Sequence, residues 1–418
     1  MRVPFEIWAS PEPTIARIGA DAFRDQLAET GHAMRASDLD LLASLGVAAT
    51  RYPILWEACA ADDPARIDLA WAEQRLERLR ELGIEPIVTL LHHGSGPTYT
   101  SLLDPAFPDL FAAYAGAVAA RFPWVRRWTP INEPLTTARF STLYGVWYPN
   151  AREDDVAFGA ALTNEVLGMV LAMVAIRKHA PRAEFVVTED LQSFTALDAS
   201  VEAFVAHKRR RMFLSIELAL GRVVPGHESY RYLVDVCGVP REKLARIAAN
   251  ACAPDLIAWN YYPNSERALF TRDGTVLNDP ARLHQAISPR PLLSAAHARL
   301  QLPFGIGEVH INGTAAQRVA WLDARVSDLL VLHDDGLPVR ALGVWAAFGM
   351  VDWDSLLARH EDIREDGIFT FAGPLGTPQE TAVATAVRAL ALASRVTLVK
   401  EASPGRRGSS LAAKSLRK

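Results

Sequence analysis

Short apolar runs rich in β-branched and aromatic residues alternate along this chain with longer stretches in which apolar positions recur at helical spacing. That alternation predicts repeated βα units around a parallel sheet. The predicted strands are 5–9, 47–53, 86–92, 125–131, 184–188, 256–261, 304–308 and 341–345. Amphipathic segments at 38–45, 70–82, 110–122, 157–179, 203–220 and 318–332 supply helices between them. Eight strands with intervening helices predict a closed (β/α)8 TIM barrel rather than an open dinucleotide-binding sheet, and no G-x-G-x-x-G follows any of the strands. Residues 263–303, with several Pro, Asp and His, read as a long loop before the seventh strand.

Composition is that of an ordinary folded protein: of 418 residues, 50% are hydrophobic and 22% charged. The barrel is expected to occupy 1–400 and to be followed by a disordered basic tail at 401–418. A net charge of −4 offers no basic surface for nucleic acid. No apolar run is read as approaching the roughly 20 residues of a membrane span, and the first residues lack the apolar core of a signal peptide. Cys59, Cys237 and Cys252 are scattered, which suggests neither disulfides nor a zinc site. These features lead to the expectation of a cytoplasmic protein.

In a barrel the C-terminal ends of the strands form the catalytic mouth, so polar residues that close apolar runs are the candidates for chemistry. Here IVTLL ends in His92 and His93, WTPI in Asn132 and Glu133, and PFGIG in Glu308. Arg51 lies in strand two, Asn260, Tyr261 and Tyr262 end strand six, and LGVW ends at Trp345. Two glutamates on opposed walls suit double displacement at an anomeric carbon: one attacks, while the other protonates the leaving oxygen and then deprotonates water. A lone Glu after an apolar run is more often a helix N-terminal residue, favoured by the helix dipole. The coincidence of sugar-competent groups at the same end of several strands favours the catalytic reading.

TPINEP at 129–134 is similar to the T-x-N-E-P motif of the family-one glycoside hydrolases, the β-glucosidase family. TRYPILW resembles that family's Y-R-F-S-x-x-W, which implies that Arg51 supports the nucleophile. TLLHH resembles T-L-x-H-W and places His92 by the sugar 3-hydroxyl, and WNYYP resembles G-x-N-Y-Y-T and sets Tyr262 beside the nucleophile. WAAFGMVDW resembles W-S-L-L-D-N-F-E-W. It implies that Trp345 floors the sugar and that Asp352 and Trp353 meet its outer hydroxyls. Glu133 is then the acid/base, Glu308 the nucleophile, and Asn132 a contact to the 2-hydroxyl.

Some positions depart from the family pattern. The usual T-E-N-G is Gly307-Glu308-Val309-His310 here, His93 replaces a Trp, Glu12 stands where a glutamine reads the 3- and 4-hydroxyls, and Asp352 is one methylene short. The segments HHGSGPTYTSLLDPAFP and LTTARFSTLYGVWYP, with the pair Glu189-Asp190, further resemble a divergent subgroup. Its members are often fused to reductases of the dTDP-4-dehydrorhamnose reductase type, which implies a functional link to a sugar-nucleotide reductase.

The expected function is a retaining β-glycosidase acting on a small glycoside other than plain glucose, without cofactor or metal and without nucleic-acid or membrane partners. The oligomeric state stays open. The alternatives are a transglycosidase using the same residues and a non-catalytic carbohydrate-binding barrel. A metal hydrolase built on His92, His93, Glu189 and Asp190 ranks below these.

Overall fold

The computed structural model describes residues 2–283 and 287–402. Eight parallel strands close into a barrel: β1 (Glu6–Ala9), β2 (Ala49–Pro53), β3 (Glu85–His92), β4 (Arg127–Asn132), β5 (Glu184–Asp190), β6 (Leu256–Tyr261), β7 (Phe304–Val309) and β8 (Val339–Val344). Each pairs with its neighbours in sequence, and β1 closes the ring on β8 through Glu6↔Ala341 to Ala9↔Val344. Every predicted strand is present, displaced by at most two residues at an end. Strands buried on both faces read as near-continuous apolar runs, which is why the pattern located them.

Eight outer helices follow the strands in turn: α1 (Asp38–Ser44), α2 (Ala70–Glu81), α3 (Phe107–Arg121), α4 (Asp155–His179), α5 (Arg241–Ala249), α6 (Arg290–Leu300), α7 (Ala315–Asp334) and α8 (Ala382–Ala402). Local chemistry sets several of their starts. Asp154 caps α4 by accepting from the Ala157 amide, and Thr314 with Gln317 forms a capping box on α7. The main core lies between barrel and helices. Trp8, Ala49, Ile87, Val186, Leu256, Ala258 and Ala341 form a separate cluster of buried side chains from the strands.

Three expectations need correction. The 203–220 segment is two helices, Glu202–Arg211 and Leu214–Ala219, rather than one. The 263–303 stretch is not a plain loop: it holds strands Glu266–Arg272 and Thr275–Asn278 as well as α6. With Ser193–Ala196 these strands make a three-stranded sheet beside the mouth, a pairing across the β5 and β6 connections that local periodicity cannot register. Finally, α4 and α8 are both long and apolar enough, by length and composition, to cross a membrane. In α4, 78% of the apolar window is buried within the fold, so a helix apolar on all sides is accounted for by core packing. The α8 helix continues to Ala402, past the expected end of the barrel at 400, and the rest of the predicted tail lies outside the described residues.

At β7 the pairing with β6 steps from Ile306↔Trp259 to Glu308↔Asn260, a bulge with Gly307 as the extra residue. A bulge re-aims the side chains beyond it, here that of Glu308. Glycine is required at 343 on β8, because a Cβ there would overlap the Gly307 carbonyl oxygen of β7.

Candidate active site

The strand ends converge on a cavity of about 510 Å³ at the C-terminal mouth. Of the sequence-predicted residues, Glu12, His93, Glu133, Tyr262, Glu308, Trp345 and Trp353 line it. Arg51, His92, Asn132 and Asn260 stand behind that surface, each almost fully buried; Arg51, Asn132 and Asn260 are hydrogen-bonded to lining residues, and His92 to Asn132.

Glu308 is held from two sides. Arg51 Nη1 donates to its Oε1 at 2.5 Å, and the Tyr262 hydroxyl donates to its Oε2. A guanidinium and a phenol donor thus hold one carboxyl oxygen each. Burial first, and the neighbouring Glu308 charge next, hold the Tyr262 phenol well above its ordinary value, so it stays a donor.

Glu133 has the opposite surroundings. Its Oε1 accepts from Asn260 Nδ2 at 2.5 Å; among the described residues no Lys or Arg pairs with it, and the only basic side chain within ion-pairing range is His93, 3.9 Å from Oε2. Burial, then the charges of Asp190, Glu308 and Glu189, push its carboxyl well above the usual range. The His93 ring is driven down to about 3 by burial and by Arg51, so it supplies no compensating charge at neutral pH. Two carboxyls with opposite surroundings face one cavity, one receiving a guanidinium and a phenol donor and one raised by burial among negative charges, which is the asymmetry that a nucleophile and a general acid require.

The helix-terminus reading of Glu133 is also met, by a different residue. Glu133 is the residue before helix Pro134–Thr142, yet its side chain makes no cap. The free Leu135 amide at that terminus is instead taken by Glu189 Oε2 at 3.0 Å, which also accepts from Ser215 Oγ at 2.7 Å. Glu133 itself sits at φ 47°, ψ 60°, a left-handed conformation costing a non-glycine residue about 1–3 kcal/mol. Its carboxyl is thereby left to face the cavity rather than the helix.

Asn132 is the hub beneath both acids. Its Oδ1 accepts from Arg51 Nη2 at 2.5 Å and from Thr188 Oγ1 at 2.8 Å, which fixes the amide orientation. The Nδ2 group then faces His92 Nε2 at 3.1 Å and His93 Nε2 at 3.2 Å. Both of its N–H groups are turned to histidine ring nitrogens in this way. His92 stacks on Trp345 at 5.6 Å and 11°, putting Trp345 between it and the cavity surface.

Asp352 is placed away from the cavity wall. Its carboxylate meets Arg24 Nη2 at 2.9 Å and accepts from the Glu361 and Ile363 amides, so it does not reach outward as the motif implied. Glu12 accepts from Trp345 Nε1 at 2.8 Å and the Thr14 amide at 2.9 Å. Burial, together with the Glu308 charge, pushes its carboxyl up to about 7.

The four residues of the metal reading are all engaged elsewhere: the histidines on Asn132, Glu189 on the helix terminus, and Asp190 on Arg139 at 3.4 Å. Among the described residues no group of three or more His, Cys, Asp or Glu is placed to hold a metal ion. Several lining residues were not singled out as site residues from the sequence. Thr136, Phe140 and Trp147 lie in helix Pro134–Thr142 and the turn after it, Arg267 lies on the small sheet, and Glu365 bonds His310 Nε2 at 3.1 Å. Only their approach in space marks them.

The family model described as Glycosyl hydrolase family 1 matches residues 14–265. Among curated proteins the chain is 31% identical over 131 residues to Beta-glucosidase A of Thermotoga maritima, covering 29% of this chain and 29% of that protein. It is 32% identical over 124 residues to human Klotho, covering 28% and 12%. The aligned stretch thus spans less than a third of the length of these relatives. A solved structure of a Thermotoga maritima β-glucosidase in complex with cyclophellitol superposes with a TM-score of 0.75 at 16% identity, over 94% of this chain and 98% of that one. At that identity the likeness speaks to the fold.

Proposed function

The chain belongs to glycosyl hydrolase family 1, and from that premise we propose that it is a retaining β-glycosidase of a small glycoside, with Glu308 as nucleophile and Glu133 as acid/base. The observation that carries this reading is the opposed environment of the two carboxyls: Arg51 and Tyr262 on Glu308, burial and neighbouring negative charge around Glu133. Ionised Glu308 attacks the anomeric carbon while protonated Glu133 delivers its proton to the departing oxygen. Glu133, now a carboxylate, then takes a proton from the water that releases the sugar. Asn260, bonded to Glu133 and beside Glu308 in strand register, keeps the two in step.

The glycone is proposed to differ from plain glucose. Glu12 puts a carboxyl where the family has an amide, Asp352 is turned to Arg24, and His93 packs edge-on to Trp353 at 5.8 Å. The subgroup associated with sugar-nucleotide reductases belongs to the same proposal and directs the substrate panel toward 6-deoxyglycosides. The test is Glu308→Ala on activated aryl glycosides. Turnover is expected to vanish, with azide restoring it to give the α-glycosyl azide; activity undiminished by the substitution overturns the assignment.

A further inference from the structure

The cavity has a charged wall that the two-carboxylate chemistry does not use. Arg267 lines it from strand Glu266–Arg272, and among the described residues its guanidinium makes no hydrogen bond and no ion pair within 4.0 Å. Its charge reaches Asp190, and Asp190 in turn is the carboxylate whose charge acts most strongly on Glu133. Ser265, two residues before Arg267, donates to Asp190 Oδ1 at 3.4 Å, which sets Arg267 on the Asp190 side of the cavity.

Arg267 is not alone. Arg139, Arg211 and Lys208 gather on the same side, from helices Pro134–Thr142 and Glu202–Arg211. Burial, then the charges of Arg211, Arg139 and Arg267, push the Lys208 ammonium down to about 7. Arg139 donates to Asp190 at 3.4 Å and also to Gln192 and Thr136. Among the described residues Arg267 is thus left with no ion pair beside a cluster of basic side chains. A ligand anion would relieve this repulsion and supply the partner that a guanidinium in a low-dielectric site otherwise lacks.

Resting on the glycosidase reading of this site, we propose that the leaving-group end of the cavity is an anion subsite centred on Arg267, and that the substrate is a glycoside whose aglycone carries a carboxylate or phosphate. Phe140 and Trp147 on the same cavity provide apolar surface for the body of such an aglycone.

The test uses S-linked, non-cleavable phenyl β-glycosides in gluco, galacto and 6-deoxy forms, with a 4-carboxylate, 4-phosphonate or 4-carboxamide on the ring, titrated calorimetrically into the full chain. At least one anion is expected to bind about tenfold tighter than the carboxamide, as one charge-assisted pair implies. The preferred anion identifies the source. Arg267→Gln should bring the ratio to about one, and Arg267→Lys should restore part of it. Equal affinities for all three ligands, or a preference that survives Arg267→Gln, overturns the subsite. Anion preference in a protein that cleaves none of the matching O-glycosides overturns the hydrolase reading and leaves the subsite standing.

Discussion

Arg51 Nη1 stands 2.5 Å from Glu308 Oε1, with both side chains nearly excluded from solvent. The other arm of the same guanidinium holds Asn132, so one residue sets the position of the nucleophile and of the histidine-bearing hub together. Removing one member of a buried pair leaves the other charge uncompensated, at about 3–5 kcal/mol. Arg51→Gln is expected to lower kcat/KM at least about a hundredfold, and to lower the melting temperature. A variant with unaltered kinetics on aryl glycosides would show that Glu308 needs no such support.

Glu133 should dominate the alkaline limb of the pH profile. Its carboxyl is raised by burial and neighbouring negative charge, so the acid form is present at low pH and lost as pH rises through that raised value. Glu133→Gln is expected to flatten this limb on substrates with good leaving groups, and to slow poor ones by about 10²–10⁴-fold. An alkaline limb retained unchanged in the variant places the titration on another group.

At the opposite end of the barrel, Arg127 meets Glu6 at 2.6 Å, Glu184 at 3.4 Å and Glu85 at 3.5 Å. Burial raises the Glu6 carboxyl, yet hydrogen bonding and charge from Arg127 outweigh it, and the net shift is downward from 4.5. A depressed carboxyl contributes stability above its unfolded value and loses it as pH falls through the lower folded value, so this contribution should fade below about pH 4.5. Arg127→Ala strands three carboxylates and is expected to destabilise the fold by about 3 kcal/mol at neutral pH, and by less in acid. Thermal melts of both proteins across pH 3–7 measure the difference; a constant difference argues against the ionic account.

Gly343→Ala probes the close approach of β7 and β8. A methyl group there would overlap the Gly307 carbonyl, and the strands would have to part just ahead of Glu308. The expected result is a loss of about 3 kcal/mol, together with a kcat penalty on the glycosides used for the wild type. Full activity with unchanged stability would mean that the bulge does not set the nucleophile.

Which parts of this protein could be read locally follows from what carries each signal. Barrel strands such as β3 and β6 are continuous apolar runs closed by His92 and by Asn260-Tyr261, so element type, order and the polar strand ends are all written in adjacent residues. The family motif around Asn132-Glu133 is equally local. The helix pair in 203–220 and the sheet containing 266–272 were not legible, because the break at Met212–Phe213 and the pairing with Ser193–Ala196 depend on surfaces far apart in the chain.

From the sequence alone came the barrel, the two glutamates and the residues expected around them, since strand periodicity and strand-end chemistry need only neighbours along the chain. Tertiary structure alone decided what each side chain does there. It assigned the helix terminus to Glu189 and turned Glu133 to the cavity, gave both Asn132 N–H groups to histidines, turned Asp352 to Arg24, and set Arg267 in the cavity wall with no ion-pair partner among the described residues. Those outcomes depend on distance and burial between residues tens to hundreds of positions apart, quantities that a linear pattern does not contain.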